Sequence, residues 1–322
     1  MPVTWGIIST ARINRLFLAG ARQSPDVDVA AVASRDRRTA NRYARAHEIP
    51  RAHGSYQALL ADPEIEAVYI SLPNALHLEW TVRALEAGKH VLCEKPLGRR
   101  GAQVEAAFEI AEREGRLLME AFMYRHNPQT ARLTELVSAG AVGRVRLVRA
   151  AFSFRAGDVG NIRLRTALDG GALMDVGCYC VSGARLIAGE PERVAAEQGL
   201  GGDGVDVTFA GTMRFPGEVI AVFDAGLALD ARDELEVVGE EGSLFLDDPW
   251  HCREPVIELR RGERRERIEI PVVDSYRLEA ENMGAAIRGE APLHLGREDA
   301  VGQARAIEAL YAAAQAGQTV EL

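Results

Sequence analysis

Cysteine is scarce in this chain, with four in 322 residues, and Cys93, Cys178, Cys180 and Cys252 show neither C-x-x-C spacing nor partnered histidines. Neither a metal site of zinc type nor a disulfide framework is supported, and the four read as small buried residues in a reducing compartment. Long apolar runs are also missing. None approaches the ~18 residues a membrane span needs, and the N-terminus enters a strand with no signal peptide, so a cytoplasmic protein without a membrane partner is expected. Basic charge is in deficit: 38 Lys and Arg against 47 Asp and Glu leave a formal charge of −9, which argues against nucleic acid as a partner. Low-complexity linkers and internal repeats are absent as well. What is there is ordinary globular composition, 47% hydrophobic and 26% charged, on a chain long enough for two domains with large cores.

The first third alternates strands and helices. Val3-Thr4-Trp5-Gly6-Ile7-Ile8 reads as a strand, and the turn after it enters a helix reaching about Arg22. Of a G-x-G-x-x-G/A fingerprint, only Gly6 stands in a recognisable place. The small side chains of Ser9, Thr10 and Ala11 still allow a pyrophosphate to approach the backbone N–H groups through Arg12 and Ile13, where the helix dipole favours an anion. A second strand, Val29 to Ala33, ends in Ser34-Arg35-Asp36-Arg37-Arg38. An acidic residue there suits the ribose of NAD, whereas Ser34 with Arg35 and Arg38 suits the 2′-phosphate of NADP, so NADP is expected with NAD the weaker cofactor. Asp36 is read as the cap of the following helix.

The third strand, Ala67 to Leu72, exits through Pro73 and Asn74 into a helix containing His77 and stopped by Gly88. Lys89 to Cys93 then reads as a short buried strand, followed at once by Glu94-Lys95-Pro96. In parallel sheets chemistry collects beyond the carboxyl ends of the strands, which places Glu94 and Lys95 in the crevice, on a turn stiffened by the proline. The bland alternative is a solvated loop lysine. A helix from Arg99 to Glu114 and a strand from Arg116 to Ala121 complete a βαβαβ series. The fold class is therefore α/β, with a Rossmann-type doubly wound parallel sheet in residues 1–123.

Residues 124–322 follow another grammar and form an expected α+β domain with a large, mostly antiparallel sheet. A helix spans about Pro128 to Ser138, another Gly171 to Ile187, and two more, Tyr276 to Arg288 and Arg297 to Gln315, close the chain. Strands are expected at Val145–Phe154, Val205–Phe215, Glu218–Leu227, Glu234–Val238, Ser243–Asp247, Val256–Leu259 and Arg267–Ile270. Thr208 to Phe215 and Val219 to Phe223 are apolar on both faces, so the open face of the sheet is expected to be covered in a homodimer or homotetramer. Phe154, Trp250 and His251 are candidate apolar platforms of a substrate pocket, with a core or interface place as the alternative.

Together with Cys93-Glu94-Lys95-Pro96, the stretch Gly170-Gly171-Ala172-Leu173-Met174-Asp175-Val176-Gly177-Cys178-Tyr179 makes a specific pattern. The chain resembles the Gfo/Idh/MocA oxidoreductases. Within them it is most similar to the branch of dihydrodiol dehydrogenase and D-xylose dehydrogenase, which carries Tyr where inositol dehydrogenase-like members carry His. Pro73-Asn74-Ala75-Leu76-His77, Glu120 to Arg125 and Asn161-Ile162-Arg163-Leu164 support the likeness, which runs nearly end to end. Ser9, in place of a second glycine, and Ser182, where relatives often carry Asn, depart from it.

The resemblance implies Lys95 and Tyr179 as a catalytic pair with Asp175 beside them. It also implies Arg125, Asn161 and Arg163, with Lys95, as contacts to sugar hydroxyls, and Leu72, Pro73, Asn74, His77 and Glu94 on the cofactor side. The chemistry agrees, since hydride transfer from an alcohol needs a group that takes the hydroxyl proton. A phenol serves if a cation favours its ionised form, and an ammonium at ~4 Å offers about 4 kcal/mol at an effective dielectric of ~20. The expected function is NADP-dependent oxidation of a pyranose or related cyclic alcohol at the anomeric carbon, giving a lactone. A keto-sugar or deoxyglycosone reductase is the alternative, and a catalytically silent nucleotide-sensing regulator is the alternative from another class.

Overall fold

The computed structural model describes residues 1–157 and 160–322, and the chain divides into two compact units. In chain order the elements begin β1 (Val3–Ile8), α1 (Asn14–Ala21), β2 (Val27–Ala33), α2 (Arg37–Ala46), β3 (Arg51–His53), α3 (Tyr56–Leu60), β4 (Ala67–Ile70) and α4 (His77–Glu86). They continue β5 (His90–Glu94), α5 (Gly101–Arg113), β6 (Leu118–Ala121), α6 (Pro128–Ser138) and β7 (Val145–Arg155). A π-helical turn (Leu173–Gly177) leads into α7 (Cys178–Ala188). Then come β8 (Arg193–Leu200), β9 (Asp206–Arg214), β10 (Ile220–Gly226), β11 (Ala228–Gly239), β12 (Ser243–Leu246), β13 (Val256–Arg261) and β14 (Arg264–Glu269). Last are α8 (Ser275–Ile287), α9 (Arg297–Ala316) and β15 (Val320–Glu321). Among the described residues no helix is long and apolar enough to cross a membrane.

The first unit comprises Met1–Gly98, Ala102–Met123 and Asp274–Val301. Its six parallel strands run β3-β2-β1-β4-β5-β6, the order of a doubly wound sheet. Trp5, Ile7, Val32, Tyr69 and Leu92 are fully buried in it, and Phe17 of α1 stacks on Tyr69 with ring centroids 4.1 Å apart. The register matters most for the site. Ile8 lies opposite both Ala33 and Ile70, and Ile70 opposite Cys93. The next residues, Ser9, Ser34, Ser71 and Glu94, therefore line up along one carboxyl edge.

Residues 274–301 belong to this first unit, whereas the sequence assigned everything beyond 123 to the second domain. Gly20 shows why. A Cβ there would lie 2.6 Å from the Arg277 nitrogen, so the glycine lets α8 pack against α1, and Gln23 Nε2 donates to Asp274 at 2.9 Å. Helical periodicity announces a helix but not its partner.

The second unit comprises Arg99–Gly101, Tyr124–Val273 and Gly302–Leu322, built on a nine-stranded sheet in the order β14-β13-β12-β11-β7-β10-β9-β8-β15. Among the described residues of this sheet only the β7–β10 pair is parallel. Phe209 of β9 meets Tyr311 of α9 edge-on at 5.6 Å, on the face that α7 and α9 cover. The opposite face exposes Ala210, Thr212, Ile220, Arg149 and Glu197, so it is small-residue and mixed-charge where the strand patterns led us to expect a broadly apolar surface. β3, β8 and β15 were missed. β8 has one fully buried side chain, Val194, among partly or fully exposed neighbours, too little alternation to read as a strand. β11 is longer than expected, and the helix expected from Gly171 is divided between the π-turn and α7.

Candidate active site

At the carboxyl edge of the first unit's sheet, a buried polar network ties the ends of β1 and β4. Ser9 sits at φ 139°, a region that favours glycine. Its Oγ lies 2.7 Å from Ser71 Oγ and accepts the Ala11 N–H at 3.0 Å. Ser71 Oγ donates to Asn14 Oδ1 at 2.5 Å, and Asn14 Nδ2 donates to the Ser9 carbonyl at 3.1 Å. Thr10, Ala11, Arg12 and Ile13 form the turn into α1, with Ile13 at its N-cap position. Gly6 is fixed by packing, since a Cβ would meet Leu59 Cδ2 at 2.7 Å.

At the end of β2, Ser34 is buried while Arg35 and Arg38 are exposed. Asp36 caps α2: its oxygens accept from Arg38 N at 3.3 Å, Thr39 N at 2.8 Å and Thr39 Oγ1 at 2.7 Å. The Thr39 hydroxyl and these amides hold its carboxyl below the usual range. The donor set thus fits a dinucleotide carrying a 2′-phosphate, with two guanidinium groups at the strand end and the neighbouring carboxylate occupied by the helix.

After β4, Leu72 is buried and Pro73 leads into a short 3₁₀ turn starting at Asn74. His77 departs from expectation. Read as a direct cofactor contact, it is 1% exposed, and its Nδ1 and Nε2 lie 2.9 Å and 2.8 Å from the carbonyls of Pro96 and Leu72. It fastens the loop after β4 to the loop after β5. Burial keeps its proton affinity below that of a free histidine, against the pull of the two carbonyls. On the β5 side, Tyr69 donates its hydroxyl to Glu94 Oε1, the Lys95–Pro96 peptide is cis, and Glu120 Oε1 accepts the Leu97 N–H at 2.7 Å. Burial and the Glu94 charge push the Tyr69 phenol up, so Tyr69 stays a donor.

In the second unit the glycine doublet has a steric cause. A Cβ on Gly170 would lie 2.3 Å from the Arg163 carbonyl, and one on Gly171 2.1 Å from Asp206 Oδ1. The loop folds back onto the helix start, with Gly171 N donating to the Arg163 carbonyl at 2.9 Å. Arg163 Nε donates to Asp175 Oδ2 at 2.7 Å, and its guanidinium lies 5.8 Å from the Phe154 ring centroid. Asn161 shapes this loop, accepting from Arg163 N at 3.1 Å and donating to the Ala156 carbonyl.

Tyr179, 8% exposed, stands in the first turn of α7 among aromatic rings: Phe152 at 5.4 Å, Tyr124 at 5.8 Å and Trp250 at 5.9 Å between centroids. Tyr124 Oη pairs with Ser182 Oγ at 2.7 Å, and Arg125 Nη1 reaches the same hydroxyl at a long 3.5 Å. Trp250, expected as a pocket platform, is a core residue instead. It is 1% exposed, its indole N–H donates to the Ala151 carbonyl at 3.2 Å, and a Cβ on Gly183 would meet its Cη2 at 2.7 Å. It backs Tyr179 from behind. His251, another candidate platform, pairs with Asp233 and meets Phe152 edge-on at 5.4 Å. Asp233, Asp248 and His251 bring ligand atoms within 4.8 Å of one another, but Asp248 is spent on Arg253, 2.9 Å from its Nη2 and bonded also to backbone amides.

Residues 3–122 match the family described as "Oxidoreductase family, NAD-binding Rossmann fold", and residues 130–245 match the "GFO/IDH/MocA C-terminal domain". D-xylose 1-dehydrogenase (NADP(+)) 2 of Haloferax volcanii is 40% identical over 99% of both chains. The trans-1,2-dihydrobenzene-1,2-diol dehydrogenase of Xenopus laevis is 35% identical over 76% of each. A 3-ketoreductase from Actinomadura kijaniata, solved with NADP and TDP-benzene, superposes with a TM-score of 0.91 at 31% identity, covering 97% of this chain and 98% of that one. On its parallel sheet, its nine-stranded partner and these end-to-end likenesses, the chain belongs to the GFO/IDH/MocA family of oxidoreductases.

Proposed function

We propose that the protein oxidises a pyranose or related cyclic alcohol with NADP, at the anomeric carbon, releasing a lactone. The observation that carries this reading is the phenol of Tyr179 in the first turn of α7, four residues after Asp175, whose carboxylate holds the Arg163 guanidinium at 2.7 Å. NADP, when bound, supplies the hydride acceptor, and Ser9 to Ile13 with Arg35 and Arg38 are the residues that would hold it. Tyr179 takes the hydroxyl proton as the C–H bond breaks, and Lys95 favours the ionised phenol and steadies the substrate oxygen. Asp175 fixes Arg163 by its Nε, leaving the outer N–H groups to donate to neighbouring hydroxyls. The names of the xylose dehydrogenase and ketoreductase relatives, which both carry NADP, support the cofactor.

Steady-state assays in both directions test this. Reduction of NADP with at least one common aldose is expected; silence with every aldose, alongside reduction of keto-sugars, would replace the leading reading by the reductive one. The ketoreductase likeness favours that second reading. Self-association through the exposed face of the nine-stranded sheet is part of the proposal. A groove of about 770 Å³ crosses that face, lined in part by Arg149, Ala151, Ala195, Ala210, Val222 and Phe245. Light scattering at micromolar concentration should give a dimer or tetramer, and a monomer would contradict it.

A further inference from the structure

We infer that Asp206, on β9, is a positioning residue for Tyr179 and Asp175, holding from a distant strand the helix start that carries both. The inference rests on the catalytic reading of Tyr179 above. Asp206 stands between two valines and is 3% exposed, and a carboxylate so placed is tolerated only when its oxygens are bonded. Both are. Oδ2 accepts the Leu173 N–H at 2.7 Å, and Oδ1 accepts the Tyr311 hydroxyl at 2.9 Å.

A helix leaves its first N–H groups without partners and is normally capped by a local Ser, Thr, Asp or Asn. The residues before Leu173 are Gly170, Gly171 and Ala172, none with a capping side chain. The cap therefore comes from a residue 33 positions along the chain, and its carboxylate meets the positive end of the helix dipole. Gly171, at φ 130°, has no side chain because Asp206 Oδ1 occupies that space. Asp206 is held in turn: the Arg99 guanidinium lies 4.1 Å from the Tyr311 ring centroid and pairs with Asp169 at 2.6 Å. From Leu173 the π-turn and the first turn of α7 run on without a loop. Asp175 and Tyr179 therefore move with Leu173, and a misplacement of about 1 Å costs up to ~10²-fold in rate.

A mutant cycle tests this. Asp206→Ala is expected to lower kcat by about tenfold or more, with the cofactor KM unchanged and a larger solvent deuterium isotope effect as proton transfer slows. Asp206→Asn keeps an acceptor for the Leu173 N–H and should recover most of the rate. In a Tyr179→Phe background Asp206→Ala should change kcat by less than about twofold, because a residue acting through Tyr179 is non-additive with it. The same factor in both backgrounds, or a near wild-type Asp206→Ala, would overturn the inference while leaving Tyr179 as the proton shuttle. Should Asp206→Ala fail to fold, Tyr311→Phe replaces it, with a smaller loss that again vanishes without the Tyr179 hydroxyl; an undiminished loss there overturns the inference. Wild-type turnover in Tyr179→Phe itself would remove the catalytic reading, and the inference with it.

Discussion

Ser9 donates its hydroxyl proton to Ser71 Oγ across 2.7 Å. The direction follows from the rest of the network, because Ser71 has one proton and spends it on Asn14 Oδ1, while Ser9 Oγ accepts the Ala11 N–H. A serine thus holds a backbone conformation that costs ~1–3 kcal/mol for a non-glycine residue, and a buried side-chain network offsets that cost.

Ser9→Ala keeps the strain and removes the network, so it should destabilise the protein by about 1–3 kcal/mol, more than Ser9→Gly, which relieves the strain. Urea unfolding midpoints measure the difference. An alanine variant at least as stable as the glycine variant would show that the backbone strain costs nothing, and one as stable as the wild type would show that the network contributes nothing.

Cofactor choice turns on Arg35 and Asp36. With Asp36 committed to the α2 cap, NADP should exceed NAD in kcat/KM by at least about tenfold, for which ~1.4 kcal/mol suffices. Arg35→Ala should erase most of that preference by weakening NADP alone. Equal use of both cofactors by the wild type would mean that Asp36 turns to the ribose.

His90 makes stability depend on pH. Its Nδ1 accepts the Leu117 N–H at 3.0 Å, and Arg116 Nη1 lies 3.3 Å from Nε2. Burial, with the Arg116 charge, lowers its pKa to about 4. The unfolded chain, with a histidine near ~6.5, binds the proton first, so this stabilisation is complete above that pH and is lost as pH falls toward the folded value. The melting temperature should therefore drop between pH 7 and 5, and drop less in His90→Gln. An equal decline in both proteins would remove His90 as a cause.

Trp250 backs Tyr179 from the core, so Trp250→Phe should lower stability by about 1–3 kcal/mol and leave the sugar KM within about twofold. Unaltered melting with a large rise in sugar KM would return the indole to the substrate pocket.

The alternation of the first 123 residues was legible because apolar strands and amphipathic helices each leave a strong local period, and because charged Glu94 and Lys95 follow directly on buried Cys93. The Gly170–Tyr179 motif was legible by its residue types. What escaped depends on contacts distant in sequence. Nothing local in Leu173-Met174-Asp175-Val176-Gly177 announces a π-turn whose first amide is bound by Asp206, although an aspartate flanked by valines at a strand start was a signal of a buried cap. His77 reads in the sequence as a cofactor-side residue, and only its two carbonyl partners place it inside. The return of α8 to the first unit rests on the missing side chain of Gly20, which the sequence displays but whose neighbour it does not.

Turnover of Tyr179→Phe with NADP and an accepted aldose tests the account most directly. The phenol hydroxyl is assigned the proton transfer, so kcat should fall by about 10² or more while cofactor binding, measured by fluorescence titration, stays at the wild-type value. Turnover near wild type in that variant would contradict the account and place the proton transfer on another side chain.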